Sequence, residues 1–207
     1  KSILEILQEG NAQLDSNWAA FADAELSKRM FGAQAARRTR EELRDLMLDG
    51  TVRGAIQDGV RLYMHSSITS DLIDGSTLDR FTSDQAEKVD LHHFYPQDWC
   101  KNNKERHEIL KDEDRSVVNS FANLTPLRAG VNKQWKAKEP TTALADFGVS
   151  LDDSVARKRL AQAFIDSEAI EAIRGGSVTD FLQRRAKLLA DGLVGLQYVG
   201  ATPAAPS

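Results

Sequence analysis

The sequence predicts a mainly helical fold that encloses one short strand, loop, strand and helix unit, and two observations support this. Apolar residues recur at three- and four-residue intervals over most of the chain, in segments separated by glycines. Between residues 85 and 140 this pattern gives way to a short apolar run with paired histidines and, later, to a β-branched segment that contains a proline. The predicted helices cover residues 2–8, 14–30, 33–48, 52–64, 154–166 and 178–192.

Length and composition set the domain organisation. With 207 residues and 41% hydrophobic content, the chain is long enough to bury one sizeable core. We expect a helical region over residues 1–84, the strand-containing unit over 85–140 and a second helical region over 141–198. The last segment, 199–207, is rich in alanine and proline and is expected to be disordered.

The sequence VDLHHFYPQ, residues 89–97, begins the strand-containing unit. Successive side chains of a strand point to opposite faces, so His92 and His93 cannot both face one site unless the strand ends or bends there. Pro96 supports an end, because proline cannot donate to a ladder and restricts the residue before it. Residues 123–127 then predict a brief edge strand, and residues 129–138 predict one helix.

The polar residues of this unit have a definite chemical character. A histidine supplies a base with a pKa near neutrality, and histidine, aspartate and asparagine can all hold a divalent cation. After the two histidines come Asn119, Asn123 and Asn132. This is the set of residue types that hydrolysis of a phosphodiester with one metal ion requires. Asn119 by itself is more typical of a turn or a helix cap.

The spacing of these residues resembles the HNH, or ββα-metal, nuclease fold. It is most similar to the HNH domain at the C-terminal end of GmrSD-type modification-dependent restriction proteins and of related phosphorothioate-sensing anti-phage defence proteins. The resemblance covers residues 87–140. It implies that His93 is the general base, that His92 and Asn132 hold the metal, and that Asn123 braces the loop between the strands and helps to orient the base. The resemblance implies Mg²⁺ or Mn²⁺ as the metal. Many relatives carry Asp or Glu in place of His92, and because an imidazole is a softer ligand than a carboxylate, Ni²⁺ or Zn²⁺ can also serve here.

The resemblance further implies a metal-dependent endonuclease that nicks double-stranded DNA, since one such site cuts one strand. In this family the HNH domain follows an N-terminal domain that hydrolyses nucleotide and senses modification. The chain begins without Met inside an amphipathic pattern, so we expect it to be the effector part of a longer protein, with that sensing domain absent from this chain. A reducing cytoplasm is the expected compartment.

Charge gives a mixed indication of nucleic-acid binding. The net charge is −4, yet residues 128–138 contain Arg128, Lys133, Lys136 and Lys138. This group is a candidate phosphate clamp beside the proposed site. The alternative is that these side chains only face solvent and contact no DNA. Two other basic clusters, at residues 37–40 and 184–187, are expected to be solvated helical faces.

Several classes of protein are excluded, and two alternatives stay open. The single cysteine, Cys100, cannot form an intramolecular disulfide or a zinc site that needs two or more cysteines. The sequence has no apolar run of about 18 residues, which a membrane span requires, and no phosphate-binding glycine loop. One alternative is a non-catalytic helical module, built on a degenerate HNH scaffold, that binds DNA or a partner protein. The other is RNA as the substrate.

Overall fold

The fold is described from a computed structural model, which covers residues 38–79, 84, 85 and 87–198. The helices predicted over residues 2–8 and 14–30, and the predicted tail at 199–207, lie outside the described residues. No described helix has both the length and the apolar character that crossing a membrane demands.

The described chain is mainly helical, as the sequence predicts. It contains eight α-helices, one two-stranded sheet and four short 3₁₀ turns. In chain order the helices and strands are α1 Arg40–Met47, α2 Ala55–Ser67, β1 Val89–His93, α3 Gln97–Asn103, β2 Leu124–Arg128, α4 Ala129–Trp135, α5 Pro140–Asp146, α6 Ser154–Gln162, α7 Ser167–Arg174 and α8 Val178–Tyr198.

Capping side chains decide where several helices begin. Thr39 Oγ1 accepts from the amide of Glu42 at 3.1 Å, and the Glu42 carboxylate accepts from the Thr39 amide at 2.7 Å, so α1 starts at Arg40. The predicted helix over residues 154–166 is wrong only in its last four residues, because α6 ends at Gln162. Phe164 has φ +59, which ends the helical path, and Asp166 then caps a separate helix, α7.

The two strands form an antiparallel hairpin, referred to below as the hairpin. Its register pairs Val89 with Arg128 and His93 with Leu124. The predicted order of strand, loop, strand and helix is confirmed. The helix that follows is shorter than predicted, because Lys136 has φ +55 and α4 stops at Trp135.

The hairpin is fixed to the core through aromatic side chains. Phe94, the residue after β1, is fully buried and stacks on Phe181 of α8 with ring centroids 4.7 Å apart. It also contacts Trp135 of α4, whose centroid lies 5.4 Å away. Trp135 therefore packs into the core. Because α8 also packs against α1 and α7, one helix joins the end of β1 to the rest of the core.

Candidate active site

The site is built where β1 ends and β2 begins. His93 is the last residue of β1, and the amide of Phe94 still donates to the carbonyl of Asn123, at 2.7 Å. The side chain of Asn123 then fixes the turn. Its Oδ1 accepts from the Tyr95 amide at 2.8 Å, and its Nδ2 donates to the carbonyls of Tyr95 and Val118 at 2.9 and 2.8 Å. Asn123 is thus the predicted brace between the strands, while its contribution to catalysis stays a prediction.

The partner of His93 is Asn119, a residue that the sequence alone favours as a turn or a helix cap. Asn119 Oδ1 lies 3.1 Å from His93 Nε2 and also accepts from Gln97 Nε2 at 2.7 Å. The other end of the Asn119 amide donates to Ser116 Oγ at 2.9 Å. Ser116 has φ +46, a left-handed conformation that is costly for a residue with a side chain. The turn that holds Asn119 against His93 therefore contains a strained residue, Ser116.

These contacts define the protonation of His93. Asn119 Oδ1 is an acceptor, so Nε2 of His93 carries the hydrogen and Nδ1 is the basic nitrogen. Burial lowers the pKa of His93 below its ordinary value, and the hydrogen bond to Asn119 raises it in part. The imidazole is neutral near pH 7, which is the form that a general base needs.

The side chains near His92 differ from those near His93. It pairs with Thr125 in the hairpin register, and strand alternation puts Asp90 on the same face of β1. Burial lowers the pKa of His92, while the charge of Asp90 raises it and His93 lowers it further. His92 Nε2 is buried and has no hydrogen-bond partner in the part of the chain that the structure describes. A neutral imidazole with an unused nitrogen fits the role of a metal ligand.

The comparisons with known proteins give the family. Residues 37–172, about two thirds of the 207-residue chain, match the family described as GmrSD restriction endonucleases, C-terminal domain. The chain belongs to this family. No curated protein and no solved structure matches it. The matched segment contains the whole hairpin, α4 and the loop that carries Asn119 and Asn123.

In this GmrSD C-terminal domain, the metal ligands stay a prediction. Asn132 is exposed on α4, and no hydrogen bond joins it to His92 among the described residues. Those residues also contain no group of three His, Cys, Asp or Glu side chains able to hold a metal ion. The unpaired His92 Nε2 supports the prediction that His92 binds the metal. No preformed cluster among the described residues supports the prediction that Asn132 binds it too.

Arg128 has a structural role that disfavours the predicted phosphate contact. Its guanidinium lies 3.0 Å from Asp71, 2.5 Å from Asp74 and 3.2 Å from Glu87. Burial opposes the charge, but these hydrogen bonds raise the pKa of Arg128 above its ordinary value. Arg128 also pairs with Val89, at the opposite end of the hairpin from His93, about 13 Å along the strand. Three surrounding carboxylates would repel a phosphate, so Arg128 anchors the 71–75 turn, and its phosphate contact stays a prediction that these ion pairs disfavour.

The three predicted lysines differ in how available they are. Lys133 and Lys136 are exposed, and no ion pair involves them among the residues described. Lys138 instead pairs with Asp146 of α5 at 2.5 Å. In this family member, Lys133 and Lys136 are the free positive charges of the predicted clamp, and their DNA contact stays a prediction.

The cluster at 184–187 is not the solvated face that the sequence predicts. Arg184 pairs with Asp166 at 2.5 Å and with Glu168 at 2.9 Å. Arg185 is fully buried, and burial lowers the pKa of its guanidinium to about 9. It donates to the carbonyls of Ala122 at 2.9 Å and Ala163 at 3.2 Å. Arg185 thus attaches α8 to the turn that immediately precedes Asn123.

Proposed function

We propose that this domain is a metal-dependent HNH endonuclease that nicks double-stranded DNA. The observation that carries the proposal is the state of His93. It is half-buried at the end of β1, its pKa is lowered by that burial, and Asn119 fixes its orientation. Membership of a restriction endonuclease family supports the same reaction class.

The geometry supports a defined role for each side chain. His93 Nδ1 takes the proton from a water molecule as that water attacks phosphorus, in line with the departing 3′ oxygen. Asn119 keeps Nε2 protonated, so the basic nitrogen stays directed away from the loop. A divalent cation, Mg²⁺ or Mn²⁺ with Ni²⁺ or Zn²⁺ as alternatives, held by His92 and Asn132, would supply positive charge to the phosphate.

Strand geometry also limits where the substrate lies. His92 and His93 project from opposite faces of the hairpin, because they are consecutive residues of β1. A phosphate served by both must therefore lie near the end of β1, where it can meet a cation on the His92 face and His93 on the other face. Lys133 and Lys136 would contact flanking phosphates, and one site of this kind cuts one strand.

The wider setting is proposed from the family. In a restriction protein, a domain of this kind is the effector that cuts DNA, and a fused sensing domain, absent from this chain, would decide when. We propose a bacterial anti-phage role in the cytoplasm. Its DNA preference would then come from the sensing domain.

Conversion of supercoiled plasmid to open circles tests the proposal. The purified chain is incubated with Mg²⁺, Mn²⁺ or EDTA beside His93→Ala and beside His107→Ala, a histidine whose ring instead packs against Trp99. We expect metal-dependent open circles from the wild type and His107→Ala, and none from His93→Ala. Equal cutting by His93→Ala would remove the base role. DNA binding that is insensitive to EDTA and occurs without cutting would instead indicate the non-catalytic module.

A further inference from the structure

Thr125 is the cross-strand partner of His92, and like His92 it has a buried polar atom without a hydrogen-bond partner among the described residues. Its side chain is fully buried, with 0% of its surface exposed. Thr125 Oγ1 has no hydrogen-bond partner in the described chain, and neither has His92 Nε2. Side chains of directly opposed residues project from one face of an antiparallel pair, with Cβ atoms about 4.5–5.5 Å apart. Two unused polar atoms therefore face the same side of the hairpin as neighbours.

A buried hydroxyl without a partner lowers stability, whereas valine would fill the same volume without that cost. The position is one where apolar residues fit well, since Leu124 and Leu127 of the same strand are buried. The hydroxyl of Thr125 therefore indicates a partner other than the atoms that the structure describes. The same argument applies to His92, because an apolar side chain at this position would leave no buried nitrogen without a partner.

The chemistry of the pair indicates what that partner is. An imidazole nitrogen and a hydroxyl oxygen are both donors of electron pairs, and serine or threonine hydroxyls bind Mg²⁺ in other phosphoryl-transfer sites. Asp90, on the same face, adds a negative charge that acts on His92. This combination attracts a cation and repels an anion.

We propose that Thr125 Oγ1 is a ligand of the catalytic cation, so that the cross-strand pair of His92 and Thr125 forms the hairpin's half of the metal site. This inference rests on the proposed function. It adds an oxygen ligand to a site whose sequence-based description has only His92 and Asn132. The hard oxygen offsets in part the softness of the His92 imidazole, and it favours Mg²⁺ or Mn²⁺.

Mn²⁺ binding, measured by calorimetry and by the shift in melting temperature, tests this without relying on nicking. The variants are Thr125→Val, which removes only the hydroxyl, Thr125→Ser, which keeps it, and His92→Ala. Thr142→Val, at an exposed position of α5, is the matched control. Far-ultraviolet circular dichroism checks that each variant is folded.

We expect one Mn²⁺ per wild-type chain and none in His92→Ala. Thr125→Val should bind Mn²⁺ roughly ten- to hundredfold more weakly, the range that follows loss of a supporting group at a metal site. Thr125→Ser and Thr142→Val should bind within a few-fold of the wild type. Without metal, Thr125→Val should melt no lower than the wild type, since it loses an unpaired hydroxyl.

Two other outcomes would overturn the inference in different ways. If His92→Ala loses Mn²⁺ while Thr125→Val binds as tightly as the wild type, Thr125 is not a ligand, its hydroxyl holds a structural water, and the proposed function stands. If the wild type itself binds no Mn²⁺ and gains no thermal stability from it, both the cation site of the proposed function and the role of Thr125 fail.

Discussion

Asn119 Oδ1 accepts a hydrogen bond from Nε2 of His93 at 3.1 Å, although the two residues are 26 positions apart in the chain. The contact joins the end of β1 to the 3₁₀ turn Val117–Asn119 in the loop before β2. It fixes which ring nitrogen is protonated, and so it determines which nitrogen can act as the base.

The first prediction concerns pH. Only neutral His93 can accept a proton, so nicking should be present above the folded-state pKa and lost as pH falls through it. Burial lowers that pKa, so the loss should occur below the ordinary histidine value of about 6.5. Asn119→Asp places an anion beside Nε2, which stabilises the imidazolium, raises the pKa and moves the acid limb to higher pH.

Nuclear magnetic resonance titration of the metal-free protein between pH 5 and 8, beside nicking rates, checks this prediction. Asn119→Ala serves as the comparison. It should reduce nicking by about tenfold, because the ring loses its orientation, without moving the acid limb upward. An Asn119→Asp titration curve that coincides with the wild type would show that the contact does not control His93.

A second prediction follows from the backbone that supports Asn119. A Cβ added at Gly50 would lie 2.1 Å from the carbonyl oxygen of Ser116 and 3.0 Å from the carbonyl carbon of Asn119. Gly50→Ala should therefore displace this turn, destabilise the fold by about 1–3 kcal/mol and reduce nicking. Gly195→Ala is the control, because a Cβ there meets nothing within 4 Å. Gly195 lies in α8, so alanine should be neutral or stabilising by up to about 1 kcal/mol.

Thermal denaturation and plasmid nicking of both alanine variants give the test. The loss of nicking in Gly50→Ala should persist at a temperature where the variant is fully folded. Wild-type nicking at such a temperature would mean that the turn can shift without moving Asn119 away from His93.

The sequence predicts the hairpin and His93 because their signals are local. The paired histidines and Pro96 indicate where β1 ends, and the segment Asn123–Thr125, 30 residues after His93, indicates where β2 begins. Each of these two signals is confined to a few consecutive residues. The brace role of Asn123 follows from the family resemblance, and its position immediately before β2 agrees with that role. These features need no knowledge of the rest of the fold.

Other features depend on distant parts of the chain. The role of Asn119 depends on the left-handed conformation of Ser116 and on the close approach of Gly50, which no local pattern reveals. Arg128 reads as a basic residue beside a helix, but its carboxylate partner Asp71 lies 57 positions earlier. In the sequence Arg185 belongs to a cluster of cations of the kind expected at the surface, and only tertiary packing buries it.

The third prediction separates the anchor from the clamp. Arg128→Met leaves Asp71, which is fully buried, without its counterion and should destabilise the fold by about 3–5 kcal/mol. Lys138→Met breaks the half-exposed pair with Asp146 and should cost no more than about 1 kcal/mol. Urea denaturation compares the two. An Arg128→Met variant as stable as the wild type would show that these ion pairs do not anchor the 71–75 turn.

The fourth prediction concerns DNA. Lys133→Gln combined with Lys136→Gln should weaken binding to a short duplex and reduce the slope of log K against log salt by about 1–2, because up to two phosphate contacts are lost. Lys138→Gln should leave the slope nearly unchanged, since Asp146 already neutralises that lysine. Fluorescence anisotropy over a range of salt concentrations, with the metal omitted, measures both. Equal slopes for the double variant and the wild type would place the DNA on another surface.

The fifth prediction tests whether α8 supports the site. Arg185→Met removes a buried charge, which is favourable, but it leaves the carbonyls of Ala122 and Ala163 unpaired. Hydrogen bonds from a charged group contribute about 1.5–3 kcal/mol each, so the net result should be a loss of about 2–4 kcal/mol. Arg184→Met is the matched control. Arg184 precedes Arg185 in the sequence, but its side chain is only partly buried and pairs with Asp166 and Glu168 near the surface.

Urea denaturation gives the stability, and hydrogen exchange of the Tyr95 amide, which donates to Asn123, gives the local effect. Arg185→Met should speed this exchange more than Arg184→Met does at matched overall stability, because the carbonyl of Ala122 belongs to the turn that presents Asn123. Arg185→Lys keeps a charge but has a single ammonium group in place of the guanidinium fork, so it should not restore both contacts. If exchange in the two methionine variants is the same, Arg185 stabilises the helices alone, and the turn before β2 holds Asn123 without help from α8.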